Sequence, residues 1–171
     1  MRRFHFLASI AVILLDQLTK WMVDRSITLH DSIVLIPGFL KLTNAQNQGA
    51  AFGLFADSTS QWRGPALILF SLIAMCIVTL LLWRNSHQVT WTGVALSLIL
   101  GGAAGNLWDR MMQGHVVDFL DFYVGSYHWP AFNVADSAIV VGAFVLMGEI
   151  LFAKAAPAER AETRSSGRKR P

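Results

Sequence analysis

The stretch GHVVDFLDF (residues 114–122), a short aromatic bridge, and then PAFNVADS (residues 130–137) opening into an apolar run decide the fold. Two aspartates in it, Asp118 and Asp136, stand in otherwise apolar sequence around the start of what reads as a membrane-spanning helix. A carboxylate at or near hydrocarbon is costly, so its presence marks a functional site and calls for a partner. Each of the two is a natural partner for the other.

Working outward, the 171-residue chain has room for one domain. Its hydrophobic content of 54%, charged content of 15% and mean hydropathy of +0.46 lie far from the soluble average. A soluble domain has no means of hiding that much apolar surface, so the class is membrane protein. The net charge of +3 is concentrated at the chain ends: Arg2 and Arg3 at the start, and Lys154, Arg160, Arg164, Arg168, Lys169 and Arg170 in the tail. No basic stripe with interleaved aromatics accompanies it, which argues against nucleic acid. Cys76, the single cysteine, sits inside an apolar run and reads as a small hydrophobe.

The apolar runs predict spans over residues 4–23, 64–83, 91–108 and 134–153. Asp16 and Lys20 interrupt the first run and no small-residue cleavage site follows, so it reads as an uncleaved anchor rather than a leader. Between the first two spans, IVLI, a Pro37-Gly38 turn and FLKLT predict a small β-rich segment outside the membrane. A loop lying on the bilayer is expected over 44–58. The third span has Trp91 and Trp108 at its ends, as interfacial anchoring requires. Residues 154–171 read as a basic disordered tail. The expected fold is thus an all-α membrane protein of four transmembrane helices, with a small extracytoplasmic β-rich segment and an interfacial loop.

Four spans put both termini on one side. That side carries nine Lys and Arg against four on the other, so both ends are expected in the cytoplasm. Asp16, Lys20, Asn106, Asp109, Arg110, Asn133 and Asp136 then all fall near the outer surface, beside Asn47 and Asp118 in the outer segments.

Each has a plainer reading. Asp16 and Lys20 form an i,i+4 pair, and Lys20 can snorkel to the surface. Asn133 and Asp136 have capping-box spacing at a helix start. Gly101, Gly102 and Gly105 make a small-residue packing face. Asp109 near a helix C-terminus is opposed by the dipole and needs a cation, with Arg110 and Lys20 both in reach. Phe119, Phe122, Tyr123, Tyr127, Trp129 and Phe132 are most simply an interfacial belt.

Capping leaves Asp118 unexplained, whereas pairing with Asp136 explains it. Two close carboxylates share a proton, so one takes a proton from water while the other donates to a carbonyl oxygen. A helix N-terminus favours the charged form of Asp136 and makes it the base, within a pair that titrates jointly. Other hydrolytic chemistries lack parts: HExxH and GxSxG are both absent.

DQLTK (residues 16–20), NQGAAF (47–52), GGAAGNLWDR (101–110), GHVVDF (114–119) and FNVADS (132–137) together resemble the signature blocks of lipoprotein signal peptidase, or signal peptidase II, a family of bacterial membrane aspartic proteases. The blocks follow the family order across nearly the whole chain. The resemblance implies removal of the signal peptide from prolipoproteins just before a diacylglyceryl-modified cysteine, with Asp118 and Asp136 as the catalytic pair. It implies Asn47, Asn106, Arg110 and Asn133 at the substrate, and Asp16, Lys20, Gly49 and Asp109 in support. It also implies inhibition by globomycin, no metal or organic cofactor, a monomer in contact with membrane phospholipid, and a place in the bacterial inner membrane. Gln48 stands where the family varies and bears on substrate range. The strand-like runs would cradle the peptide, and residues 119–129 would act as a lid or interfacial segment. The rival class is a small proton-coupled transporter or channel that uses the same acids as a relay. A membrane assembly factor whose acids only join helices is the third.

Overall fold

Each apolar run forms a helix longer than its hydrophobic segment: α1 (Arg2–Ser26), α2 (Arg63–Asn85), α3 (Trp91–Gln113) and α4 (Val134–Ser166). The computed structural model describes residues 2–49, 62–85 and 88–166. Part of the expected interfacial loop, residues 50–58, lies outside them.

Among the described residues, three helices are long and apolar enough to cross a membrane: Arg3–Ser26, Arg63–Asn85 and Val134–Phe152. α3 differs because it is the central helix, packed against all three others. Its small and polar residues, Ser97, Gly101, Gly102, Gly105 and Asn106, are buried in those contacts. Leu14, Leu69, Leu80, Val141 and Phe144 on the surrounding helices remain exposed, as side chains facing lipid do.

α3 begins at Thr90, whose side chain accepts from the Gly93 amide, and ends at Gly114 in the left-handed conformation. Close helix contact rests on glycine. A Cβ at Gly102 would overlap the Ala135 carbonyl oxygen of α4, and one at Gly105 would lie 2.7 Å from Asp16 Oδ2 of α1. Small residues let backbones approach where apolar burial gives no net drive between helices in lipid.

The fold is not all-α. Strands β1 (Ser32–Ile36), β2 (Leu40–Asn47), β3 (Val116–Val124) and β4 (Tyr127–His128) form one antiparallel sheet in that order. The β1–β2 hairpin matches the two strand-like runs. Its turn has Pro37 followed by Gly38 at φ +77°, and Phe39 N–H donates to Ile36 O at 3.0 Å. β3 is the correction: much of the aromatic segment after Gly114 is a strand paired along β2. Val117 and Phe119 pack on Val23 and Ile27 at the end of α1. Phe119 is therefore core rather than interfacial belt, while Tyr127 and Trp129 stay exposed. Period-two alternation was masked there because β3 buries both faces from Val116 to Phe119.

The backbone of residues 154–166 continues α4, where composition alone suggests a disordered tail. Its Ala, Glu, Lys and Arg are good helix formers, and extending an existing helix requires no new nucleus.

Candidate active site

β3 carries Asp118 into the angle between the sheet and the helix ends. Ala45 is its register partner on β2, so Asn47, two residues on, shares its face. Asn47 Nδ2 donates to Asp118 Oδ2 at 2.9 Å, and its Oδ1 accepts the Gly49 amide at 2.8 Å. Beyond β4 the chain returns to β3: Leu120 N–H donates to Phe132 O at 2.8 Å, and Phe132 N–H to Leu120 O at 3.1 Å. That bridge sets Asn133, and with it the start of α4, beside Asp118.

Asn133 joins the two aspartates. Its Nδ2 donates to Asp118 Oδ1 at 2.8 Å, while its Oδ1 accepts the Asp136 amide at 2.9 Å. Asp136 Oδ2 returns a longer contact to the Asn133 amide at 3.4 Å. The capping box is real, and the residues that form it are also the ones that meet Asp118. Asn106 of α3 closes the group by donating from Nδ2 to Asp136 Oδ1 at 2.7 Å.

Behind this lies a charged network. Lys20 Nζ donates to Asp16 Oδ2 at 2.7 Å, Asp109 Oδ2 at 2.6 Å and Asn106 Oδ1 at 2.9 Å. Its three protons meet three acceptors, and at 4% exposure it does not snorkel. Lys20 is thus the cation that Asp109 required. Asp16 Oδ1 accepts the Ala135 amide at 2.9 Å, which ties α1 to the first turn of α4. Arg110 reaches elsewhere: Nη2 donates to Gly49 O at 3.0 Å and Nη1 to Asn106 O at 3.3 Å. Its buried Nε has no partner among the described residues.

Asp118 is 4% exposed. Burial, reinforced by the charge of Asp136, pushes its carboxyl up to about 7 against the opposing pull of the Asn47 and Asn133 amides and of Lys20. It therefore holds a proton at a pH where a free aspartate has lost one.

Asn47, Asn106, Arg110, Asp118 and Asp136 line one cavity of about 280 Å³. Its remaining wall is mostly apolar: Leu67, Phe70, Ser71 and Ala74 from α2, Ile99 and Ala103 from α3, Val116 from β3, and Ile139 from α4. All ten residues singled out in the sequence lie at this end of the bundle, in two groups that meet at Asn106. Three features went unread. The cavity wall was legible as helical spacing, with Ile99, Ala103, Asn106 and Arg110 on one face of α3. Gln17, inside the DQLTK block, donates to Asp109 Oδ1 at 2.8 Å. Asp121, on the other face of β3 from Asp118, pairs with Lys41 at 3.3 Å and His128 at 2.9 Å and belongs to the sheet rather than to the cavity. Among the described residues, no group of three His, Cys, Asp or Glu converges as metal ligands would.

Comparison with known proteins bears on the whole of this assembly. A family model described as signal peptidase (SPase) II matches residues 8–152. Lipoprotein signal peptidase of Solibacter usitatus is 46% identical over 137 residues, spanning 80% of this chain and 84% of the relative. That of Desulforapulum autotrophicum is 45% identical over 153 residues, spanning 86% and 91%. That of Burkholderia mallei is 48% identical over 139 residues, spanning 81% and 82%. Two solved structures of bacterial membrane enzymes superpose with TM-scores of 0.79 and 0.77 at 28% identity. They cover 90% and 86% of this chain and 91% and 92% of their own.

Proposed function

The chain belongs to the signal peptidase II family, and from that premise we propose that it is an aspartic endopeptidase cleaving diacylglyceryl-modified prolipoproteins just before the lipidated cysteine, with Asp118 and Asp136 as its catalytic pair. One observation carries the reading. The buried Asp118 and the half-buried Asp136 face one cavity whose other wall is mostly apolar, and carboxamides from β2, α3 and the start of α4 hold them in place.

In this mechanism the pair shares one proton. Asp118 holds it and Asp136 is ionised. Water between them gives a proton to Asp136 as its oxygen attacks the scissile carbonyl, and Asp118 donates to the carbonyl oxygen. The proton on Asp136 then passes to the leaving nitrogen as the C–N bond breaks, and a hydroxyl of the tetrahedral intermediate returns a proton to Asp118, so the pair is restored and no covalent enzyme intermediate forms. The Arg110 Nε, which has no partner among the described residues, and the remaining guanidinium donors suit carbonyl or ester oxygens of the bound precursor. Asn47 and Asn106 also line the cavity.

We further read α3 as a fourth span, both termini as cytoplasmic, and the site as lying at the outer face of the inner membrane. The excess of Lys and Arg at the chain ends supports this orientation. A proton relay would want acids at several depths. Among the described side chains within the helices, only Glu149 lies toward the opposite end, and it is bonded to Thr92.

The test is cleavage of a lipid-modified precursor by protein reconstituted in vesicles. Asp118→Asn and Asp136→Asn should stay folded and inserted while losing about a hundredfold or more in turnover, and unlipidated precursor should remain uncut. Retention of more than about a tenth of turnover by either variant removes the pair, since positioned acid–base catalysis is worth more than that.

A further inference from the structure

Three carboxamides aim N–H groups at the two aspartates, and an amide does this only if something holds its oxygen the other way round. For two of them that something is backbone. Asn47 Oδ1 accepts the Gly49 N–H and Asn133 Oδ1 accepts the Asp136 N–H, so neither can turn over without losing a main-chain donor. For Asn106 it is a side chain: Lys20 Nζ, at 2.9 Å from Oδ1. Among the described residues, the only other donor to that oxygen is Asn133 Nδ2 at 3.3 Å, which already serves Asp118 at 2.8 Å.

We propose that Lys20 is a positioning residue for the reaction: its ammonium fixes the polarity of the Asn106 amide, and so keeps Asp136 a hydrogen-bond acceptor ready to take the proton from water. The proposal rests on Asp136 acting as the base. Lys20 does not line the cavity; apart from the pull of its charge, it reaches Asp136 through Asn106. Without the ammonium, Asn106 is free to turn Oδ1 toward Asp136. Two acceptors then face each other, and the contact is relieved only by a proton on Asp136. The base is thereby lost while the fold and the substrate wall remain.

The surroundings explain why a lysine does this. Asp16 from α1 and Asp109 from α3 hold the ammonium from two sides, and Gln17 braces Asp109. Its third proton points at Asn106. The other charged groups facing the site are Arg110 on α3, Asp118 on β3 and Asp136 on α4.

A double-mutant cycle between Lys20→Met and Asn106→Ala tests this, with cleavage of lipidated precursor followed across pH in vesicles. In the parent background, Lys20→Met should lower kcat about tenfold or more with KM nearly unchanged. It should also move the acidic limb of the profile up by about one pH unit, the effect of removing one hydrogen bond to a charged group. In the Asn106→Ala background the same substitution should change kcat by less than about twofold and move the limb clearly less, by only the part that the charge of the ammonium supplies, because the amide it controls is gone. An equal loss and an equal shift in both backgrounds would overturn the proposal and make Lys20 a brace or a remote charge. Should Lys20→Met fail to fold, the cycle is run as Lys20→Met/Asp109→Asn against Asp109→Asn, which drops a carboxylate together with the ammonium. Asp136→Asn, measured alongside, separates the two readings. If it still cleaves, the catalytic pair is wrong; if it is silent while the cycle is additive, only the role of Lys20 is wrong.

Discussion

Asp118 and Asp136 are ordinary carboxylic acids made useful by position. With Asp118 pushed up to about 7, chiefly by burial and then by the charge of its partner, its carboxyl still holds a proton near neutral pH, as the proposed shared-proton pair requires. Cleavage under substrate-limited conditions should follow a bell. As pH rises through about 7 the shared proton leaves, the acid is lost, and the rate falls; at lower pH a second proton binds and the base is lost. The basic limb should therefore lie well above the value near 4 of a free aspartate. Chelator should leave the profile unchanged. Measured from about pH 4 to 9 in intact vesicles, a rate rising steadily to the alkaline end would remove the shared proton. Loss in chelator with recovery on zinc would instead point to a metal-bound water.

At the scale of elements, the site is held by how closely α3 meets its neighbours. Gly102 lies against the Ala135 carbonyl in the first turn of α4, and Gly105 lies against Asp16 of α1. Asn106, the next residue along α3, spans the gap to Asp136 at 2.7 Å. Gly102→Val should drive α3 and α4 apart, at a cost of about 1–3 kcal/mol typical of overpacking, and lengthen that bond. The expected result is a lower unfolding temperature together with a disproportionate loss of turnover. A variant equal to the parent in both would show that the helices tolerate separation there. The sheet acts by the same logic: β3 is held by β2 along one edge and by Phe132 at the other, so Asp118 and Asp136 cannot drift independently.

For the whole molecule, the two aspartates and the groups that hold them are gathered at one end and the sides are apolar. Leu14, Leu69, Leu80 and Phe144 form an exposed surface that suits lipid. Four spans require Ser126, in the β3–β4 turn, and Asn85, at the end of α2, to lie on opposite sides of the membrane. In a Cys76→Ser background, an impermeant thiol reagent added outside should label Ser126→Cys in intact cells, and Asn85→Cys only after lysis. Labelling of both from outside would break the four-span topology. The reversed pattern would invert it and place the pair on the cytoplasmic side.

Composition, run length and charge bias were enough to give a membrane protein with four long helices, because hydropathy is a local and additive property of the chain. Local turn chemistry gave the β1–β2 hairpin, since Pro37 and Gly38 impose their dihedrals without help from elsewhere. The ten candidate residues that the structure brings to one end of the bundle were also legible, as polar groups in apolar sequence and as motif blocks in order. What those residues touch was not. Lys20 is buried beneath Asp109 and Asn106, more than eighty residues away in the chain, and no spacing rule reaches that far. β3 escaped notice because a strand buried on both faces loses its alternation. Asp118 and Asp136 are near in sequence, yet their meeting depends on β3 leaving and the chain returning to pair Phe132 with Leu120. A carboxamide's orientation is set only by the donor that reaches its oxygen. Gly49 and Asp136 do this for Asn47 and Asn133 from two and three residues along the chain, whereas Lys20 reaches Asn106 from 86 residues away. Which N–H group points at Asp136 was therefore decided by the tertiary structure, because α1 and α3 meet only in the folded chain.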